Sequence, residues 1–169
     1  MGMGVQTLVS EREYLETTYH PDCDFEDGVL IERNVGTRDH GRLQALLAAY
    51  FVRREKRWNS RVYTEVRMKV RAGKYMIPDL SIVQGEEPVG QFFQTPPLVI
   101  EILSPEDRPI RVNERVREEL KFGVPFVWVI DPETMESELH TQSGSHQIED
   151  GVLRLAGTPI EVHLSELDE

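Results

Sequence analysis

The sequence predicts an α/β domain built on a mixed β-sheet flanked by helices, and three observations carry that expectation. Two runs, LVIEIL at 98–103 and FVWVI at 126–130, are apolar on both alternating faces, as strands buried between two layers are. Val112, Val116 and Leu120 recur every four residues between them, which makes strand, helix and strand a candidate right-handed parallel crossover. Upstream, RVYTEVRMKV alternates apolar and polar residues ahead of a second apolar run, YMIPDLSIV, as an antiparallel pair does.

Taken in chain order, Ser10 followed by Glu13 has the spacing of a capping box and opens a short helix. DFEDGVLIERN predicts a turn at Asp27 and Gly28 followed by a strand. The clearest helix follows, with Asp39 as its expected N-cap and Leu43, Leu46, Leu47, Tyr50, Phe51 and Arg54 along one face. The alternating segment sets Val62, Val66, Met68 and Val70 against Glu65, Arg67 and Lys69, and Ala72-Gly73 turns it into YMIPDLSIV. Pro78 lacks a donor and belongs at a strand edge or an irregularity. A helix is expected from about 109 to 122, closed by Gly123 in C-cap style before FVWVI. ESELHTQ, GVLRL and EVHL read as short antiparallel strands closing one edge, an acidic C-terminal β extension over 134–169.

With 169 residues, 39% of them hydrophobic and 29% charged, the chain fits one soluble domain, 1–169. Its one cysteine, Cys23, cannot form an internal disulfide, and no apolar run approaches the roughly 18 residues needed to span a membrane. MGMGVQTLVS has neither a basic nor a long apolar signal region, so the cytoplasm is the expected compartment. A net charge of -11 argues against a protein that coats nucleic acid. The charge is nonetheless uneven. Positions 53–74 hold nine Lys or Arg against Glu55 and Glu65, whereas 131–169 hold ten acids against Arg154 alone. The basic stretch is either a solvated helix end and hairpin or a patch on which a polyanion backbone rests.

Glu101 interrupts LVIEIL, and a buried carboxylate is costly unless something compensates it. Alternation groups Val99, Glu101 and Leu103 on one face of that strand and Leu98, Ile100 and Ile102 on the other. Asp79 has the same setting between Ile77 and Ser81. If the two strands are neighbours, the carboxylates meet, and one takes up a proton unless a cation lies between them. That cation is a divalent ion or an arginine such as Arg108 or Arg115; carboxylate and carbonyl oxygens suit Mg2+ or Mn2+ rather than Zn2+.

MIPDLSIV, PPLVIEILSPEDR and GVPFVWVIDPE, with DCDFEDGVL and the DHGRLQALL helix start, resemble the Uma-two family, a branch of the PD-(D/E)XK restriction-endonuclease-like superfamily. The resemblance runs from about 10 to 133. It implies a restriction-endonuclease-like fold and a Mg2+- or Mn2+-dependent endonuclease that hydrolyses phosphodiester bonds of DNA. It implies Asp79 and Glu101 as metal ligands, with the Ile102 carbonyl and Asp24 as further ligands, and leaves Glu65 to join the cluster or orient the attacking water. Leu103 stands where the superfamily has its motif lysine; a lysine on the next helix stands in within this branch, and Arg115 matches its position. An arginine neutralises charge on phosphorus but cannot act as a general base. Arg111 stands where the family has an acid. Arg108, Arg111 and Arg115 either face the site or pair with Glu114, Glu118 and Glu119 along the helix. His40 is either part of a helix cap or a substrate contact. The alternative to an enzyme is a catalytically silent relative that binds DNA or a protein partner through the same cleft, and the charge asymmetry leaves room for a homodimer.

Overall fold

A computed structural model describes residues 7–86, 89–105 and 109–168. It has a mixed sheet flanked by helices, as expected. Helix α1, Glu11–Glu16, is capped by Ser10, whose hydroxyl accepts from Glu13 N at 3.1 Å. Strands β1, Cys23–Glu26, and β2, Val29–Glu32, form a hairpin whose turn residues Asp27 (φ 46°) and Gly28 (φ 95°) take the left-handed region. Helix α2 covers Arg38–Val52 and is followed by a single turn, α3, Glu55–Trp58. The α2 cap is Thr37, not Asp39: the Thr37 hydroxyl accepts from His40 N at 3.3 Å, and Asp39 lies in the first turn.

The long alternating hairpin is broken in the middle. RVYTEVRMKV divides into β3, Ser60–Thr64, and β4, Met68–Arg71, while YMIPDLSIV divides into β5, Lys74–Met76, and β6, Leu80–Gln84. Glu65 takes φ 54°, and Pro78 has no N–H to give, so the ladder cannot run through either point. β4 pairs with β5 in a four-stranded sheet of order β2-β1-β5-β4, and β3 pairs with β6 in a larger one. The bend between the halves is where Asp79 lies.

Strand β7, Leu98–Ile102, runs antiparallel to β6 and parallel to β8, Phe126–Ile130, with α4, Pro109–Lys121, as the crossover. Gly123 (φ 110°) ends α4. β9, Ser137–Thr141, and β10, Gly144–Ile148, extend this sheet to the order β10-β9-β8-β7-β6-β3. The GSHQI strand was not expected, since it is polar and almost wholly exposed and gives no apolar signal. β11, Val152–Arg154, and β12, Glu161–His163, form a separate ribbon followed by a 3-10 turn, Leu164–Glu166.

The large sheet is covered on both faces. Leu98, Ile100 and Ile102 pack with Leu43, Leu47 and Phe51 of α2, with Leu153 and Val162 of the C-terminal ribbon and with Leu164 of the turn that follows it. Val99 packs on the opposite face with Val116, Val124, Val127 and Val129. The alternation read from LVIEIL therefore holds, and Glu101 faces the α4 side. Tyr14, Phe25 and Tyr75 form a third cluster between α1 and the smaller sheet. Among the described residues no helix is long and apolar enough to cross a membrane.

Candidate active site

A cavity of about 510 Å³ opens between β1, the Asp79 bend, the end of β7 and α4, and its lining includes Asp24, Asp79, Glu101, Arg33, His40 and Arg115. β6 pairs with β7 from Ile82 opposite Leu98 to Leu80 opposite Ile100, and Asp79, one residue before β6, lies beside the end of β7, where its carboxylate accepts from Ile102 N. Two acids separated by 22 positions thus line one cavity because their strands adjoin.

Asp79 is 2% exposed. Its Oδ1 accepts from Arg33 Nη2 at 2.7 Å, and its Oδ2 accepts from Ile102 N at 2.8 Å and lies 3.3 Å from His40 Nε2. Burial works against the charge, but the His40 hydrogen bond and the Arg33 guanidinium outweigh it and hold the carboxyl well below the usual carboxylate range. The same contact with Asp79 raises the His40 pKa above its ordinary value, against its partial burial. Gln44 Nε2 donates to the Asp79 carbonyl at 3.1 Å, tying α2 to the bend.

Glu101 is compensated by Arg115, whose Nε donates to Glu101 Oε1 at 2.8 Å. The guanidinium also donates through Nη1 to Asp24 Oδ2 at 2.5 Å and through Nη2 to the Ile77 carbonyl at 2.6 Å. One arginine thereby joins α4, β1 and β7 and the segment leading into the bend. Burial opposes its charge but Asp24 and Glu101 prevail, so its pKa stands well above its ordinary value. Glu101, buried, is pushed up by desolvation despite Arg115. Asp24 is further held by Ile77 N, donated to its Oδ1 at 2.8 Å.

Glu119 completes this corner. It is 0% exposed, neither carboxyl oxygen has a hydrogen-bond partner among the described residues, and Oε1 lies 3.7 Å from Arg115 Nε. Desolvation and the neighbouring Glu101 charge push its pKa well above the ordinary carboxylate range.

The remaining expected site residues divide. Ile102 is in the cavity wall, and Arg111 is exposed at its rim. Glu65 is exposed and absent from the lining; its backbone N donates to the Asp79 carbonyl at 3.2 Å, so it supports the bend rather than joining the acids. Arg108 lies outside the described residues. Arg33, Glu119 and Lys74 were missed. Arg33 follows β2 with no periodicity to mark it. Glu119 carried a signal, since it falls beside the Val112, Val116 and Leu120 stripe. Lys74, buried, pairs with Glu26 at 3.0 Å and with Glu118.

The chemistry of these donors suits a hard divalent ion: carboxylates and carbonyls dominate, and the one thiol, Cys23 Sγ, is turned to the Pro21 carbonyl. Among the described residues, however, no group of three or more His, Cys, Asp or Glu is gathered as a metal cluster. Glu101 and Asp24 share the Arg115 guanidinium, and Asp79 is held by Arg33 and His40, so an ion entering here exchanges with cations already present.

The layered mixed sheet with acids at the ends of two adjoining strands defines a restriction-endonuclease-like α/β fold. The chain belongs to the Uma2 family, described as "Putative restriction endonuclease", whose model matches residues 12–165. Among solved structures it is similar to a "putative nuclease belonging to DUF820" from Anabaena variabilis ATCC 29413, at 20% identity and a TM-score of 0.77, covering 94% of this chain and 97% of that one. A cryo-electron-microscopy DrdV–DNA complex also matches, at 16% identity and a TM-score of 0.39, over 75% of this chain and 10% of that one. No curated protein matches the sequence.

Proposed function

We propose that this chain is an endonuclease that hydrolyses phosphodiester bonds of DNA with Mg2+ or Mn2+, in the cavity between β1, β7 and α4. The observation that carries the reading is that Asp79 and Glu101, from adjoining strands, line one cavity with Arg33, His40 and Arg115. Asp79 and Glu101 would hold the ion, with the Ile102 carbonyl and Asp24 as further oxygen donors. A bound divalent ion supplies charge for the scissile phosphate and activation of the attacking water.

The chain's own groups have separable tasks. His40 and Arg33 keep Asp79 ionised and aimed, so a ligand carboxylate is ready without deprotonation. Arg115 contributes fixed positive charge next to the reacting phosphate but accepts no proton, so it replaces the charge of a motif lysine and not a base. Arg111, exposed at the rim, suits a flanking phosphate of the substrate. Glu65, outside the cavity, has no part in this reading.

A second reading has its own observation. With Arg115 lying on Glu101 and Asp24, the cleft already contains a cation, as a catalytically silent relative that only binds DNA or a protein partner would. Nicking of supercoiled plasmid by the full chain in Mg2+ separates the two. The nuclease reading expects wild type to nick and Glu101→Gln to lose at least about a hundredfold in rate, the scale of removing one group that stabilises the transition state. No cleavage by either favours the silent relative, and equal cleavage by both overturns the assignment of the chemistry to this cavity.

A further inference from the structure

Two ion-pair bridges hold the walls of the cavity together. Lys74, buried in its lining, pairs with Glu26 of β1 at 3.0 Å and with Glu118 of α4, and Arg115 of α4 pairs with Asp24 of β1. Both bridges join the strand and the helix between which the cavity opens. The Lys74 side chain is only 6% exposed, so pulling the walls apart would strip a poorly hydrated ammonium of its partners, which is costly. The width of the cleft is therefore braced.

Depth, size and charge act with that brace. The two carboxylates proposed to do the chemistry lie at the floor, Asp79 being 2% and Glu101 6% exposed. A space of about 510 Å³ is of the size that small-molecule ligands fill. At the mouth, Glu32 after the β1 turn and Glu114 on α4 are exposed beside Arg111, and Ile31, 38% exposed, offers an apolar side chain. In a duplex, pairing and stacking keep the scissile phosphodiester in line with its neighbours. Bringing it to a floor of this depth presses phosphates of both strands toward Glu32 and Glu114. An unpaired strand bends at each nucleotide, admits one phosphodiester alone and leaves a free base for apolar surface such as Ile31.

We propose that the cavity takes an unpaired DNA strand, at a bubble, flap or frayed end, and that the Lys74 bridge between Glu26 and Glu118 excludes a continuous duplex. Lys74 is then a specificity-determining residue that acts through the width of the cleft. That the ligand is DNA rests on the reading of the cavity as a phosphodiester site. Supercoiled plasmid, strained toward local unpairing, remains a substrate, whereas the same plasmid linearised and relaxed is a poor one.

The test uses the full chain and three fluorescein-labelled DNAs: a single strand of about 20 nucleotides, its duplex, and that duplex with a mismatched central bubble. Affinity is read by anisotropy in EDTA, and cleavage positions on gels in Mn2+. The single strand is expected to bind at least about tenfold more tightly than the duplex, and cuts in the bubble DNA to fall in the unpaired segment. Glu118→Gln and Lys74→Met change the charge of the cavity in opposite senses, yet both cut the bridge. Both are expected to narrow the preference for single strand by raising relative affinity for duplex, which a purely electrostatic role of either residue does not give. An unchanged preference in both folded variants overturns the role of the bridge. Equal affinity of wild type for strand and duplex, or binding of neither, overturns the substrate class. Cleavage of supercoiled and relaxed plasmid at equal rates does so while leaving the nuclease reading intact, and a single-strand preference in EDTA without cleavage of any DNA overturns the nuclease reading alone.

Discussion

Arg115 balances the charge of two carboxylates at once. Its three donors serve Glu101, Asp24 and the Ile77 carbonyl, so Arg115→Ala removes the ion pairs of the buried Glu101 and the half-buried Asp24 and is expected to cost about 3–5 kcal/mol in urea unfolding. The same variant removes the cation with which a divalent ion competes, so Mn2+ should stabilise it by more than it stabilises wild type. Stability falling while ion affinity rises is a signature that a purely structural arginine does not give. His40 provides a pH test. Its folded pKa is raised above the ordinary 6.5 by Asp79, so the stabilisation it contributes is complete below about pH 6.5 and is lost as pH rises through the folded value. His40→Gln should therefore cost about 2 kcal/mol at pH 6 and distinctly less at pH 9, measured by urea unfolding at each pH. Asp79 and Glu101 were legible in the sequence because a carboxylate within an apolar run is itself an anomaly. Arg33 was not, since its partner lies 46 positions away and nothing local marks a side chain that neutralises a distant one.

At the scale of elements, the crossover was readable because continuous apolar strands and a four-residue helical repeat are each distinctive. The broken hairpin was not. Alternation continues through Glu65, and only the backbone shows that Glu65 turns left-handed where Pro78 interrupts its partner. That break separates the two sheets and turns Asp79 toward β7, so the site depends on an irregularity that a periodic pattern conceals. The α2 start is similar: Asp39 looked like the cap, but Thr37 accepts from His40 N and thereby fixes the residue that holds Asp79. Thr37→Ala is expected to lower stability by about 1 kcal/mol, read from the thermal midpoint, with a smaller pH dependence because His40 is no longer anchored. Gly36 adds to this, since a Cβ there would meet His40 Nδ1 at 3.0 Å. At the other helix, Gly123→Ala forces a side chain into φ 110° and should cost at least about 1 kcal/mol.

Across the whole molecule, charge is divided between regions. The smaller sheet pairs Lys69, Arg71 and Lys74 with acids of α1, β1 and α4 and of the Asp27 turn, and acids from β1, the bend and β7 converge on the cavity. The C-terminal segment belongs to the main core, with Leu153, Leu155, Val162 and Leu167 packed against α2 and the large sheet, although its acidic composition suggested a peripheral extension. The central claim is that Asp79 and Glu101 together hold a divalent ion, and thermal unfolding in Mn2+ tests it most directly. A ligand at about 100 times its Kd stabilises the native state by about 2.7 kcal/mol, which for a chain of this size raises the midpoint by roughly 5–10 °C. The account predicts that rise for wild type and a flat response for the double variant Asp79→Asn, Glu101→Gln. An equal rise in both proteins, or none in wild type at millimolar Mn2+, contradicts it.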